Sequence, residues 1–248
     1  MEKRVYNNSA AVTTIDQVFY DTIMERFDDK SKLHIIPNFV DTDLYHDGVS
    51  TKELDKKLFP ETDSIKLLYA GNIGFAQDWE PLIRLAEKTR DQNIEYFLIG
   101  MGVKKKWVEE QKTLLGLDKL HILDYQPRHM MPAILAYSDL QYIFMTPEQE
   151  GMGFPSKVYT IMACARPLLV CSGDNTPIVN FLKPVGCAKL VTDHDLERKT
   201  DEMAKWLSTI TRADLRQMGV KGESVINQSY TKEKVTRQYV ELVDSILK

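Results

Sequence analysis

The chain has 248 residues, of which 43% are hydrophobic and 27% charged, a composition typical of a globular protein with one large or two small domains. Its formal net charge is −4, whereas a duplex-binding protein normally carries a basic surplus, so nucleic acid is not favoured as a partner. The three cysteines form no CxxC pair and no two histidines have HxxxH spacing, so the sequence predicts neither a disulfide framework nor a zinc site.

The N-terminal quarter of the chain has little regular patterning. Residues 10–14 predict a short strand, apolar residues at helical spacing predict an amphipathic helix over 16–27, and residues 33–36 predict a second strand. Residues 41–63 are polar and without a clear period, which is typical of a linker, and one helical turn is expected near 54–58.

Strands and helices alternate from residue 64 onward. The sequence predicts strands at 65–69, 96–99, 120–123, 140–144, 168–171 and 188–191. It predicts helices at 79–90, 103–115, 127–137, 157–166 and 177–183 between them, and at 196–210, from 211 and from 231 after them. Asp78 and Thr231 are the expected N-caps of two of these helices. The alternation indicates an α/β fold, with a parallel sheet of about six strands and helices on both faces.

Ligands of parallel sheets bind beyond the carboxyl ends of the strands, and glycine-rich or polar loops occupy those positions in this chain. They are the loops 71–74, 100–102, 125–128, 147–156 and 172–176. Lys157 stands at the start of a short helix, where free backbone N–H groups favour an anion. Glu150 precedes it, and the carboxylate of Glu150 is suited to accept hydrogen bonds from sugar hydroxyls. We therefore expect this edge of the sheet to bind a sugar attached to a diphosphate.

Four motifs carry a resemblance to a known family. They are IIPNFVDT at 35–42, YAGNIGFAQ at 69–77, LIGMG at 98–102, and PSKVY with MACARP at 155–167. In this order and spacing they resemble the C-terminal, donor-binding half of a retaining GT-B glycosyltransferase of the family 4 type. The bacterial branch that builds O-antigen, capsule or exopolysaccharide is the one they resemble in particular.

The resemblance implies a domain organisation. Residues 1–40 would be a remnant of the N-terminal acceptor domain with the interdomain segment, and 41–63 a linker. Residues 64–230 would form the nucleotide-sugar-binding Rossmann-like domain and 231–248 the C-terminal helix. Because the acceptor domain would be missing, we expect a truncated enzyme that is inactive alone.

The resemblance also implies which residues contact the donor. The expected sugar contacts are Glu150, Gly151, Met152 and Gly153; the expected diphosphate contacts are Gly71, Asn72, Gly74, Ser156 and Lys157; and the expected nucleoside contacts are Gly100, Gly102, Tyr125, Gln126, Arg128 and Thr160. It implies no metal and no cofactor, and no residue is assigned as catalytic.

Two departures from the family pattern affect this assignment. Asn72 and Gln77 stand where the family usually has an Arg and a Lys on the diphosphate, and Thr160 stands where it usually has a Glu on the ribose. The hypothesis that follows is that Lys157, together with the helix start, replaces the lost Arg and Lys.

Several of these residues also have an ordinary structural interpretation. Glu150 could also be a solvated loop acid, Ser156 a plain helix cap, and Thr160 a core threonine bonded to its own helix. Gly100 and Gly102 suit a strand-to-helix turn.

The resemblance implies transfer of a sugar from a UDP-sugar to a glycan or lipid-linked acceptor in surface polysaccharide biosynthesis. Without a secretory signal or a run of 18 apolar residues, the sequence predicts a cytoplasmic location, at the inner membrane face if the acceptor is lipid-linked. The basic turn 104–106 suits a solvated surface or a peripheral membrane contact.

One alternative function is a non-catalytic nucleotide-binding module that acts with a partner subunit. Another is a GT-B sugar-nucleotide epimerase, for which the sequence shows no carboxylate–histidine pair.

Overall fold

The computed structural model describes residues 2–27, 29–151 and 153–248. Met152, an expected sugar contact, lies outside the described residues. The strands are β1 (Val12–Thr14), β2 (Leu33–Ile35), β3 (Ile65–Ala70), β4 (Ile94–Ile99), β5 (Leu120–Leu123), β6 (Leu140–Phe144), β7 (Leu168–Cys171) and β8 (Ala188–Val191). The helices are α1 (Glu2–Asn8), α2 (Gln17–Met24), α3 (Glu80–Lys88), α4 (Lys105–Leu115), α5 (Met131–Tyr137), α6 (Lys157–Ala163), α7 (Pro177–Leu182), α8 (Leu196–Leu207), α9 (Arg212–Ser229) and α10 (Lys232–Leu247).

Six strands form the main sheet in the order β5-β4-β3-β6-β7-β8, and every neighbouring pair is parallel. Every residue of β6 and β7 is buried, because helices cover both faces of the sheet. The predicted α/β fold with about six strands is thereby confirmed. The chain runs outward from β3 in one direction and from β6 in the other, so the strand order reverses between these two strands. Such a switch point is where parallel sheets bind ligands.

Alternate residues of β3 belong to different cores. Leu67 and Tyr69 pack with helices α3 and α8 on one face, while Leu68 packs with Phe97 and Ile134 on the other. On this second face α6 lies against α9, and a Cβ at Gly219 of α9 would come within 1.9 Å of the Ala165 carbonyl oxygen. This close approach fixes the position of α6, the helix that begins with Lys157.

A second, two-stranded sheet pairs β1 with β2 in parallel, and α2 connects them. Asp16 caps α2 by accepting a hydrogen bond from the Phe19 N–H. The chain then passes to the main sheet through Val40, whose N–H donates to the Tyr230 carbonyl oxygen. The strands and helix expected in this region are confirmed with shorter bounds, whereas its assignment to a separate first domain stays a prediction.

Two local expectations need correction or refinement, and one helix was not predicted. Asp78 does not cap α3, because Trp79 occupies the N-cap position without a side-chain bond, and Asp78 faces Lys199 instead, 3.5 Å away. The segment 41–63 contains several hydrogen-bonded turns, of which the one at 55–59 matches the expected turn, and it buries Leu54 and Phe59 and so packs as part of the fold. Helix α1 was not predicted from the sequence, and it has no buried residue. None of the helices in the described parts of the chain is both long and apolar enough to cross a membrane.

Candidate functional site

A cavity of about 520 Å³ opens at the switch point, beside the ends of β3, β4 and β5 and the start of α6. Its lining includes seven of the residues expected to contact diphosphate or nucleoside, namely Gly71, Tyr125, Gln126, Arg128, Ser156, Lys157 and Thr160. Phe39 and Tyr45 also line it and were missed, because nothing in their local sequence relates them to strands so much later in the chain. The charged side chains of the lining, Arg128 and Lys157, are both cations.

Lys157 reaches across the cavity floor from α6 to the end of β3. Its ammonium donates a hydrogen bond to the Ala70 carbonyl oxygen at 3.2 Å and lies 3.8 Å from the centroid of the Tyr69 ring. No carboxylate of the described residues forms an ion pair with it within 4.0 Å. Burial lowers the pKa of Lys157 to about 8. The group is thus mostly protonated at pH 7 and lacks a counter-charge, which is the condition in which a bound anion is strongly favoured.

The first glycine loop leaves space for this lysine. A Cβ at Gly71 would lie 2.8 Å from the Lys157 Nζ, so a larger residue there would displace the ammonium. The Tyr69 hydroxyl donates to the Asn72 carbonyl oxygen at 2.9 Å and holds the loop closed. Neither Asn72 nor Gly74 is among the residues that line the cavity. Their contact with a diphosphate stays a prediction.

The two glycine loops pack directly on each other. A Cβ at Gly100 would stand 1.8 Å from the Gly71 carbonyl oxygen, and one at Gly102 would stand 2.3 Å from that of Ile73. The Ile73 N–H also donates to the Met101 carbonyl oxygen at 2.8 Å. Gly100 and Gly102 therefore have a packing role, and neither lines the cavity. Their expected contact with the nucleoside remains a prediction.

The first turn of α6 presents two hydroxyls. Ser156 occupies the N-cap position, but its side chain makes no capping hydrogen bond. Thr160 donates its hydroxyl hydrogen to the Lys157 carbonyl oxygen at 2.9 Å, which is the ordinary helix-bonded interpretation. The Thr160 oxygen can still accept a hydrogen bond, and both residues line the cavity.

Glu150 is not a freely solvated loop acid, since only 14% of its side chain is exposed. One carboxylate oxygen accepts from the Gly173 N–H at 2.6 Å, and the other lies 3.8 Å from the Nε2 of His194. A Cβ at Gly173 would collide with the same carboxylate at 2.4 Å. This carboxylate–histidine pair was not predictable from the sequence, because His194 follows β8, at a different strand end. By contrast, a Cβ at Gly151 or Gly153 would have no neighbour within 4 Å.

The basic turn ahead of α4 is largely engaged by its own surroundings. Lys105 pairs with Asp124 and Lys106 lies 3.8 Å from Glu110, while Lys104 stands 5.0 Å from the Phe75 ring centroid. This arrangement fits a solvated, paired surface.

The family model described as "Glycosyl transferases group 1" matches residues 50–221. The chain belongs to this family. It is 29% identical over 97 residues to the putative colanic acid biosynthesis glycosyl transferase WcaI of Escherichia coli, covering 39% of this chain and 24% of that protein. It is 24% identical over 168 residues to the probable glycosyltransferase WbjE of Pseudomonas aeruginosa, and this match covers 66% of this chain and 40% of that protein. The chain thus matches less than half the length of these glycosyltransferase relatives.

Solved glycosyltransferase structures share the fold over nearly the whole chain. Sucrose-phosphate synthase (tll1590) from Thermosynechococcus elongatus superposes with a TM-score of 0.78 at 16% identity, covering 99% of this chain and 60% of that one. Anabaena HepE in complex with UDP and glucose superposes with a TM-score of 0.77 at 16% identity, over 98% of this chain and 66% of that one. WaaG, a glycosyltransferase involved in lipopolysaccharide biosynthesis, superposes with a TM-score of 0.72 at 13% identity, over 91% of this chain and 60% of that one. These likenesses confirm the predicted Rossmann-like domain of the GT-B type.

Proposed function

We propose that this chain binds the donor of a retaining glycosyl transfer, a UDP-sugar, with the donor diphosphate on the ammonium of Lys157. The observation that carries the proposal is that this ammonium is partly buried at the switch point and has no carboxylate partner in the described chain. A diphosphate would supply the missing counter-charge. The related fold of HepE adds support, because that structure holds UDP and glucose.

The remaining lining residues suit the rest of the nucleotide. Arg128 supplies a second cation, and the Ser156 hydroxyl adds a donor near the same end of α6. Tyr125 and Gln126 then face the uracil, and Thr160 accepts from a ribose hydroxyl. In this proposal the charge that a metal supplies in other transferases comes from the two cations of the chain.

The donor sugar lies towards Glu150. The Gly173 N–H donates to one carboxylate oxygen and fixes the side chain, and the second oxygen, which lies 3.8 Å from His194 Nε2, accepts from a sugar hydroxyl. The backbone of 151–153 continues around the sugar. We assign Glu150 to binding and orientation of the sugar, without a covalent bond to it.

The reaction proposed for the whole enzyme follows from these positions. An acceptor hydroxyl oxygen forms a bond to the anomeric carbon on the face from which UDP departs, as the bond between that carbon and the phosphate oxygen breaks. The hydroxyl proton passes to the departing phosphate oxygen, and Lys157 stabilises the charge that develops there. Configuration at the anomeric carbon is thereby retained.

The acceptor that we propose is a glycan or lipid-linked glycan of a surface polysaccharide, made at the cytoplasmic face of the membrane. Support comes from the relatives, whose names refer to colanic acid and lipopolysaccharide biosynthesis. Because the chain covers 24% and 40% of its curated relatives, we expect turnover only in the context of the complete two-domain architecture.

Calorimetric titration of the chain with UDP, GDP and ADP tests the nucleotide assignment. We expect UDP to bind more tightly than the two purine nucleotides, because the proposal places uracil against Tyr125 and Gln126. Failure of the folded chain to bind any of the three would overturn the proposed function. In a complete enzyme, NMR of the anomeric proton in the first-formed product would test retention.

A further inference from the structure

The Tyr45 side chain reaches the cavity at the switch point from a segment that precedes the main sheet. It lines this cavity together with Arg128 and Thr160. Its ring also packs on the hydrophobic core to which Cys164 belongs. Cys164 follows Thr160 by four residues at the end of α6, so the two lie on the same side of that helix. Tyr45 therefore stands beside the wall of the cavity that Thr160 forms.

The backbone around Tyr45 is held firmly by its neighbours. The Val40 N–H donates to the Tyr230 carbonyl oxygen at 3.0 Å, and the Asp41 carboxylate accepts from the Lys232 ammonium at 3.1 Å. The Tyr45 N–H then donates to the Asp41 carbonyl oxygen at 3.0 Å and closes a helical turn. A side chain that is already positioned loses little conformational freedom when a ligand binds.

The hydroxyl of Tyr45 is left unused by the fold. It forms no hydrogen bond with the described residues, although the ring is half-buried. Buried tyrosine hydroxyls usually have a hydrogen-bond partner. Burial raises the pKa of Tyr45, and the Arg128 guanidinium offsets only part of this rise. The hydroxyl thus stays protonated in the neutral range and can donate a hydrogen bond to a ligand.

Thr160 offers the complementary function on the same wall. Its hydroxyl hydrogen is donated to the Lys157 carbonyl oxygen at 2.9 Å, so towards a ligand its oxygen can only accept. A donor and an acceptor on one wall suit two neighbouring hydroxyls, of which one accepts and the other donates. The ribose of a nucleotide carries such a pair at C2′ and C3′, whereas 2′-deoxyribose does not.

We infer that Tyr45 is a specificity residue that makes this cavity selective for ribonucleotides over deoxyribonucleotides. Its hydroxyl donates to one ribose hydroxyl, and the Thr160 oxygen accepts from the other. This inference rests on the proposed function, because it requires a nucleotide in the cavity. It narrows the donor class to sugars carried by a ribonucleoside diphosphate and disfavours those carried by thymidine diphosphate, which lacks the 2′-hydroxyl.

Calorimetric titration of wild type, Tyr45→Phe and Tyr239→Phe with UDP, 2′-deoxy-UDP and 3′-deoxy-UDP tests this inference. We expect wild type to bind both deoxynucleotides about three- to tenfold more weakly than UDP, since each lacks one hydrogen bond. Tyr45→Phe keeps the ring on the core and removes the donor. It should bind UDP about three- to tenfold more weakly and no longer distinguish UDP from one of the two deoxynucleotides. Tyr239→Phe, on the exposed side of α10, is the matched control and should resemble wild type.

The outcomes separate this inference from the proposed function. If UDP binds but wild type does not discriminate against either deoxynucleotide, the inference is overturned and the proposed function stands. The same holds if Tyr45→Phe discriminates as wild type does. A uniform loss of affinity for all three nucleotides in Tyr45→Phe would show that the side chain only supports the fold of the cavity, and it would also overturn the inference. If the folded wild-type chain binds none of the three, the proposed function fails and the inference fails with it.

Discussion

The ammonium of Lys157 lies 3.8 Å from the centroid of the Tyr69 ring, across the point where the strand order of the main sheet reverses. The aromatic face and the Ala70 carbonyl oxygen hold the ammonium in place, but neither carries a full negative charge. Burial of this cation without a full counter-charge therefore lowers the stability of the protein. Such a cost is typical of residues retained for binding.

The first prediction concerns that cost. The pKa of Lys157 is about 8 in the folded protein and near 10.5 when the side chain is solvated, so the unfolded chain binds more protons between these values. The contribution of Lys157 to the free energy of unfolding is therefore lowest below pH 8 and rises with pH up to about pH 10.5. At pH 7, Lys157→Met should raise the free energy of unfolding of the ligand-free protein by about 1–3 kcal/mol. Urea denaturation at pH 7 and pH 10 measures the difference, which should shrink at the higher pH. A variant less stable than wild type at pH 7 contradicts the prediction.

The same pKa sets the pH dependence of donor binding. The protonated ammonium binds the diphosphate, so affinity for UDP-glucose should fall up to tenfold per pH unit as the pH rises above about 8. Lys157→Arg keeps its charge throughout this range and should show a flat profile. Calorimetry between pH 7 and 9.5 distinguishes the two. Parallel profiles for wild type and Lys157→Arg would show that another group controls the effect.

A third prediction concerns the packing of the glycine loops. Gly100→Ala would place a methyl carbon 1.8 Å from the Gly71 carbonyl oxygen, which must move and take the cavity floor with it. We expect a loss on the order of 3 kcal/mol in stability and much weaker UDP binding. Gly153→Ala, where a Cβ has no neighbour within 4 Å, is the matched control and should have little effect on stability. Thermal unfolding of both variants checks the contrast. Equal stability of the two would contradict the packing role.

The fourth prediction separates sugar from nucleotide. Glu150→Gln keeps an oxygen that can accept a hydrogen bond from the Gly173 N–H, so the loop should stay in place. The substitution removes the negative charge that faces the sugar hydroxyls. UDP affinity should not change, whereas affinity for the matching UDP-sugar should fall about tenfold. Glu148→Gln, an exposed acid in the same loop, should change neither value. Titrations with UDP and several UDP-sugars provide the comparison. An equal loss for UDP and UDP-sugars would remove Glu150 from the sugar site.

The main sheet was predictable because its strands are short, mainly apolar runs that alternate with helical segments, the clearest being Leu168–Cys171, which is buried throughout. The place of Lys157 in the strand-end cavity was predictable because the helix start and the lysine are adjacent in sequence and follow a strand, whereas its binding of an anion stays a prediction. The pair of Glu150 with His194 and the contribution of Tyr45 to the cavity were not, because each depends on contacts between distant segments. The helix Glu2–Asn8 escaped notice because it has no buried face to give it a pattern.

The most direct test of the account is calorimetric titration of UDP into wild type, Lys157→Met and Lys106→Met at pH 7. Lys106 is an exposed lysine of the basic turn and serves as the matched control, since its side chain is 87% exposed. Removal of a charge-assisted contact to the diphosphate should weaken UDP binding by roughly 10- to 100-fold in Lys157→Met, with Lys106→Met like wild type. Equal UDP affinity in all three folded proteins would contradict the central claim that Lys157 holds the donor diphosphate.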